Sequence, residues 1–445
     1  MDERSVMSGV IEGNNGTFFR DGYRVTLMPL KLPHDKETTT FTPENGYMHI
    51  TSFRGKKGAF FVGKEPFTIC IDTDLTTPIF IESYMPILSN DLHHFFVIEF
   101  SGGSLNLLRK ERFFQPHYAD DPTGGVSFNR PLEKAVYEMS IAGKKCNVTI
   151  GVTAKDSGND RSWSFNCVSY LSLTFDEAQT LDMIWQHYQH VNRLVSVMSN
   201  RTNNYFDEIA IYTVPPEDEG FYSSKAVVCI RDCAEGKVRR FPGITFSDLG
   251  ESAIRLLELF YNSKEKKPSY SLGFIPRNEG EHYRVTDDII RAVASAIECE
   301  LTFYKDIDTD QTDAMGSLCT EVKNLVKKHR ESHSEAPVLT SGTYDLIFGS
   351  ITHWSKSAAE KMIWLYQKFS DAMEDKSHRS CLSEDDIRGF VRYRNNITHG
   401  TYRESDHDVM RTTIALEKLV ICSLLERVGV PRSSIIELAR KKIGR

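Results

Sequence analysis

The residues best suited to chemistry lie near the C-terminus, in the stretch Arg392-Tyr393-Arg394-Asn395-Asn396-Ile397-Thr398-His399-Gly400. An imidazole gains and loses a proton near neutral pH, and a guanidinium offers a planar fork of donors that fits a phosphate. Cleavage of an RNA phosphodiester needs both. One group must move protons at the 2′-hydroxyl or the leaving 5′-oxygen, and a cation must meet the charge that builds on the phosphate. His399 fits the first task, Arg394 the second, and Asn395 has donor and acceptor atoms to orient the pair. The nucleophile comes from the substrate, so no Ser, Cys or metal is called for.

Spacing alone is a weak signal, because Arg-x4-His occurs three times in the chain. Arg112 to His117 contains Pro116 and falls in a strand-rich half, and Arg277 to His282 reads as an acidic loop. Only Arg394 to His399 sits on a helical pattern. Ile387, Phe390, Val391, Arg394, Ile397 and Thr398 recur at three and four residues, which places Arg394 where an apolar core residue is expected. A buried Arg needs a partner, an interface or a cleft. His399 follows five positions on, about 140° round an ideal helix, so the two side chains share a cleft only where the helix loosens. Gly400 permits that. The plainer reading is a solvated helix end, with a cationic His favoured by the helix dipole.

The elements that must position this group change character along the chain. Residues 1–175 read as many short strands rich in β-branched and aromatic residues, bounded by Gly, Pro, Asn and Asp. With no helical period between them, they predict a β-rich, sandwich-like N-terminal domain. Residues 176–280 form a mixed region: an amphipathic helix from Leu181 to about Asn200, strands near Ile209–Val214 and Ala226–Ile230, and a helix near Glu251–Tyr261. Residues 281–445 read as an all-α bundle, with helices about 285–304, 312–329, 342–349, 354–377, 384–399, 407–427 and 433–442. Ser383-Glu384-Asp385-Asp386 is a capping start with acids in the first turn. The fold class expected is thus α+β and multidomain.

Composition sets outer bounds. The chain has 445 residues, 54 Lys+Arg against 61 Asp+Glu and a net charge of −7, so a nucleic acid would have to be held by local basic patches. Three are visible: Lys323, Lys327, Lys328, His329 and Arg330; Lys237, Arg239 and Arg240; and Arg440, Lys441, Lys442 and Arg445. Each is more simply a solvated face. Tyr393 and Tyr402 can stack an unpaired base, although Tyr393 equally suits packing. The nine scattered cysteines, the lack of a secretory layout at Met1–Ser5 and the lack of a long apolar run predict a cytoplasmic chain with reduced thiols and no membrane partner. Cys229-x3-Cys233 has no second ligand pair and reads as buried thiols rather than zinc. His93-His94, beside Asp91, alternate to opposite faces of a strand, which argues against shared ligation. No metal site and no cofactor are expected.

The C-terminal pattern Arg394-Asn395-x3-His399-Gly400 resembles the HEPN superfamily of nucleases. The layout of a β-rich half opening with Val10–Gly13 and Gly16–Leu27 before a helical half resembles the ApeA type of anti-phage HEPN proteins. The resemblance implies metal-independent endoribonuclease activity that leaves a 2′,3′-cyclic phosphate and a 5′-hydroxyl, with Arg394, Asn395 and His399 as catalytic residues. It also implies a homodimer or higher homo-oligomer through the HEPN domain, a phage-derived trigger, and abortive infection as the outcome. The rival expectation is a non-catalytic binding protein: a β-sandwich ligand domain on a helical dimerisation module.

Overall fold

Alternation of inward and outward side chains builds the N-terminal half. Along Gly16–Asp21, Gly16, Phe18 and Arg20 are buried while Phe19 and Asp21 face out, the period-two pattern of a half-buried strand. A computed structural model describes residues 6–12, 16–21, 23–29, 39–69, 73–83, 92–108, 134–159, 162–218, 221–231, 243–262, 272–276, 284–304, 307, 312–333, 339–352, 357–373, 382–400, 407–441 and 443. The chain divides into two units. The first comprises Met1–Lys264 with Ile275–His282, and the second Glu265–Phe274 with Tyr283–Arg445.

The first unit holds strands β1 (Val6–Ile11), β2 (Gly16–Asp21), β3 (Arg24–Pro29), β4 (Thr39–Phe41), β5 (Tyr47–Ser52), β6 (Lys57–Phe61), β7 (Phe67–Ile69) and β8 (Thr73–Thr76). These are followed by β9 (Ile79–Ser83), β10 (His94–Ser101), β11 (Lys134–Ile141), β12 (Lys144–Asn159), β13 (Ser162–Thr180), β14 (Glu208–Tyr212) and β15 (Lys225–Ile230). Helices α1 (Met183–Ser199), α2 (Phe246–Leu249) and α3 (Glu251–Asn262) complete it. Thirteen of the described strands pair in one antiparallel series, β11-β12-β13-β10-β14-β15-β9-β6-β5-β1-β2-β3-β8, with β4-β7 apart. Phe18, Val25, Leu27, Phe41, Met48, Ile50, Phe60 and Phe80 form its core at one end.

Thirteen of the described strands are hydrogen-bonded in one series, because β15 pairs with β9 and so joins strands distant in sequence. One expectation changes here, the separate region 176–280: β14 pairs with β10, and most of this stretch belongs to the first unit. Unpaired strand edges are costly in exposed N–H and C=O groups, and inserting the β14–β15 hairpin satisfies them. β13 runs on to Thr180, past the expected end of the strand-rich stretch at residue 175.

Two buried imidazoles tie α1 to α3. His187 Nδ1 lies 2.7 Å from the Tyr261 hydroxyl, and the His190 ring sits 4.3 Å from the Tyr261 ring. Burial lowers His187 to about 3, and burial with the nearby Arg193 lowers His190 to about 4. Folding therefore holds both rings neutral, whereas the unfolded chain takes up protons near the ordinary value of 6.5. Their contribution is complete above that value and is lost as pH falls through the folded values, at about 1.4 kcal/mol per pH unit per ring. The first unit is thus expected to lose melting temperature steadily below about pH 6.5. Calorimetry across pH 7 to 4.5 checks this, and a His187→Gln/His190→Gln variant should show a clearly flatter profile.

The second unit holds α4 (Asp287–Leu301), α5 (Thr312–Ser332), α6 (Ser341–Thr352), α7 (Ala358–Lys368), α8 (Ser370–Met373), α9 (Glu384–Thr398), α10 (His407–Arg427) and α11 (Arg432–Lys441). The helix expected over 354–377 breaks at Phe369 into α7 and α8. α10 is central: Leu416, Leu419, Val420, Leu424 and Leu425 are buried, and α10 packs against α4, α7, α8, α9 and α11. The chain is thus α+β, with a large antiparallel sheet and a helical C-terminal half. No described helix is long and apolar enough to cross a membrane.

Candidate active site

The site is the C-terminal end of α9, and the helix that carries it is fixed at both ends. At its start the Ser383 hydroxyl accepts from the Asp386 N–H at 3.2 Å, while the Asp386 carboxylate accepts from the Ser383 N–H at 2.8 Å, a full capping box. Burial alone would raise the Asp386 carboxyl. The Ser383 backbone and hydroxyl bonds and the Arg411 guanidinium outweigh it and hold the group below its ordinary value. At its end the His399 N–H donates to the Asn395 carbonyl at 3.0 Å, and Gly400 turns the chain out at φ +74°. Only glycine adopts that conformation without strain.

The buried stripe of α9 is Ile387, Phe390, Tyr393 and Ile397. Tyr393, offered above as a base-stacking residue, is thus a core residue whose hydroxyl donates to Asp287 at 3.1 Å. Thr398 points out, with its hydroxyl on the Arg394 carbonyl at 2.7 Å. Arg394 lies at the margin of the stripe rather than within it, its side chain 26% exposed. Adjacent residues on a helix differ by about 100°, so either Tyr393 or Arg394 satisfies the same 3.6-residue period, and the aromatic ring takes the core.

Arg394 is held on two sides. One guanidinium nitrogen donates to Glu298 Oε1 at 2.6 Å and the other to Asn395 Oδ1 at 3.1 Å. Glu298 belongs to α4, and Arg291, two turns earlier on that helix, donates to the Ile397 carbonyl at 3.2 Å. One face of α4 therefore orients the cation and meets the partial negative charge at the end of α9. Sequence reasoning missed Glu298 and Arg291. Their signal was only their seven-residue spacing, which puts two charged residues on one face of a helix. His399 is exposed, and its ring makes no hydrogen bond among the described residues. Arg394, Asn395 and His399 thus share one helix end, with Arg394 and Asn395 in direct contact.

The Arg394–Glu298 pair is partly exposed on both sides, at 26% and 41%. Screening and side-chain entropy leave such a pair worth under about 1 kcal/mol. Glu298→Gln is accordingly expected to shift the urea midpoint of the second unit only slightly, and a loss several times larger would assign the pair a structural role.

The remaining candidates are dispersed. Lys327, Lys328 and Arg330 lie on α5, which packs against α6; Arg330 donates to Ser341 at 3.0 Å and sits 3.6 Å from Asp345. α9 packs instead against α4, α7 and α10. Arg440 donates to the Asp371 carbonyl at 3.0 Å, and Lys441 pairs with Glu437 at 2.7 Å. Burial pushes the Cys229 thiol up, in keeping with a packed thiol. Tyr402, Asp91, Cys233, Lys237, Arg239, Arg240, Lys442, Arg445 and the Arg112–His117 and Arg277–His282 pairs lie outside the described residues. Comparison with known protein families, with curated proteins and with solved structures finds no match to this chain.

Proposed function

We propose that this chain is a metal-independent endoribonuclease of the HEPN type that acts in anti-phage defence. The observation that carries the reading is the oriented guanidinium of Arg394, in contact with Asn395 on the same helix end as an exposed imidazole at His399. His399 moves protons at the 2′-hydroxyl or the leaving oxygen, Arg394 stabilises the charged phosphate, and Asn395 positions Arg394. A second copy of the chain supplies a matching set across a shared groove. Unpaired or loop RNA, such as a tRNA loop, suits in-line attack by the 2′-hydroxyl. The β-rich unit is the sensing or restraining part. It contains a cavity of about 360 Å³ lined by Leu108, Tyr137, Ile150, Val152, Ser169 and Phe246, a place for a trigger ligand.

One observation favours the rival reading of a non-catalytic binding protein. Glu298 already neutralises Arg394, so a phosphate must displace or share that carboxylate. Purified protein incubated with total RNA and tRNA in excess EDTA decides between them. The proposal expects fragments ending in 2′,3′-cyclic phosphate and 5′-hydroxyl, and no fragments from His399→Ala. RNA left intact in every condition, infected-cell extract included, favours the binder. Cleavage abolished by EDTA with His399 indifferent would indicate a metal-dependent nuclease.

A further inference from the structure

The first unit gathers two histidines and a carboxylate that are far apart in sequence. Glu44 lies in the turn before β5, His49 within β5, and His93 immediately before β10. Asn45 and Gly46 both have positive φ, 51° and 90°, which makes the turn tight and folds Glu44 back beside the strand. One ligand-type atom from each of the three lies within 4.8 Å of the other two. His93 Nδ1 is 3.1 Å and His49 Nε2 3.9 Å from the same oxygen, Glu44 Oε2. The two imidazole rings lie side by side, 4.2 Å between centroids at 34°.

Two features separate this group from an ordinary hydrogen-bonded cluster. His93 Nδ1 is shielded from solvent yet makes no hydrogen bond of acceptable geometry, even to the carboxylate beside it. A buried ring nitrogen without a hydrogen bond is uncommon in a folded chain. Lys57, the cationic side chain that acts on His49 among the described residues, is tied to the Glu12 carboxylate, so the cluster has no cation of its own among these groups.

We propose that Glu44, His49 and His93 form a binding site for one divalent transition-metal ion of the zinc class. Two imidazole nitrogens and one carboxylate oxygen match the donor set of zinc and related ions, whereas magnesium and calcium take oxygen ligands. With ligand bonds of about 2.0–2.2 Å, tetrahedral binding places neighbouring donor atoms about 3.4 Å apart. The observed separations of 3.1 and 3.9 Å bracket that value. Side-chain adjustment brings these two separations to it. His49 is the inner ligand, its side chain 11% exposed, while His93 and Glu44 at 37% and 57% leave the ion a way in. Three protein ligands leave a fourth position for water or a small ligand. The bound ion would tie the β5 turn to the entry of β10.

The neighbouring residue gives the control. His94 turns away and lies edge-on to Phe96, its ring centroid 5.6 Å distant. The test uses the untagged full chain, stripped with chelator and then titrated with Zn²⁺ alone by calorimetry and with Co²⁺ alone by visible absorption. One equivalent of metal is expected, with a cobalt spectrum of nitrogen–oxygen coordination. Loss of an outer-shell partner already weakens metal sites about 10–100-fold, so His49→Ala and His93→Ala should each weaken binding at least about tenfold. His94→Ala should leave it unchanged. His93→Ala alters a half-exposed side chain and keeps the test valid should His49→Ala fail to fold, with circular dichroism as the folding check. Absent binding, or binding indifferent to both His49→Ala and His93→Ala, overturns the assignment. RNA cleavage is not a readout, so this result is independent of the proposed nuclease activity.

Discussion

His399→Ala is expected to reduce RNA cleavage by about 10²–10⁴-fold, the range for removing a general acid or base. The fold should not change. His399 is exposed, its ring makes no hydrogen bond among the described residues, and its part in ending α9 is played by its backbone N–H on Asn395. An exposed substitution of this kind moves stability by less than about 0.5 kcal/mol. Single-turnover rates on one synthetic RNA, beside melting curves of the same preparations, separate the two effects. Arg394→Lys sharpens the test, since it keeps the charge and loses the fork that bonds Glu298 and Asn395 together. On the proposed reading it also cuts the rate severely. Cleavage at the parent rate by His399→Ala would remove the central claim.

The largest stability loss is expected elsewhere in the second unit. The Glu300 side chain is wholly buried and takes a hydrogen bond from Ser423 Oγ at 2.9 Å, with Arg427 Nη2 3.1 Å from its other oxygen. The Arg427 guanidinium also lies 3.7 Å over the Phe303 ring. Tyr304 extends the group, bonded to Ser423 and Glu426 at 3.0 Å each. Breaking a buried pair by removing one partner costs about 3–5 kcal/mol, because a charge is left in a medium that solvates it poorly. Arg427→Ala should therefore lower the unfolding free energy of this unit by about that much, read as a shift in urea midpoint. Replacing both partners, as Glu300→Gln with Arg427→Met, should recover most of the loss. A loss below about 1 kcal/mol from Arg427→Ala would mean that solvent reaches the pair.

That network was not legible in the sequence, and the reason is general. Glu300, Ser423 and Arg427 carry no local mark of partnership, since more than a hundred residues separate α4 from α10 in the sequence. The same holds for Glu298 beside Arg394. What was legible depended on neighbours in sequence. The Ser383–Asp386 capping box, the end of α1 at Asn200 in the left-handed conformation and the stop at Gly400 all follow from contacts within four residues. Helix existence and bounds in the C-terminal half followed from the same local periods. The break at Phe369 did not, because both halves of that segment keep a helical pattern.

His93 makes the contrast sharpest. Considered beside His94 alone, strand alternation argues against shared ligation, and the two rings take different neighbours. The partners of His93 come from another strand and from a turn about fifty residues earlier, which no short-range rule can supply.

Local chemistry thus determined the residue types, the change from strand period to helix period, and the gathering of Arg394, Asn395 and His399 on one helix end. Tertiary structure alone decided that the mid-chain hairpin joins the sheet, that Tyr393 rather than Arg394 enters the core, and that α4 supplies the carboxylate facing the guanidinium. The physical reason is range. Backbone hydrogen bonds and side-chain periodicity act over a few residues, whereas burial and charge pairing are settled by whichever surfaces meet when the chain closes on itself.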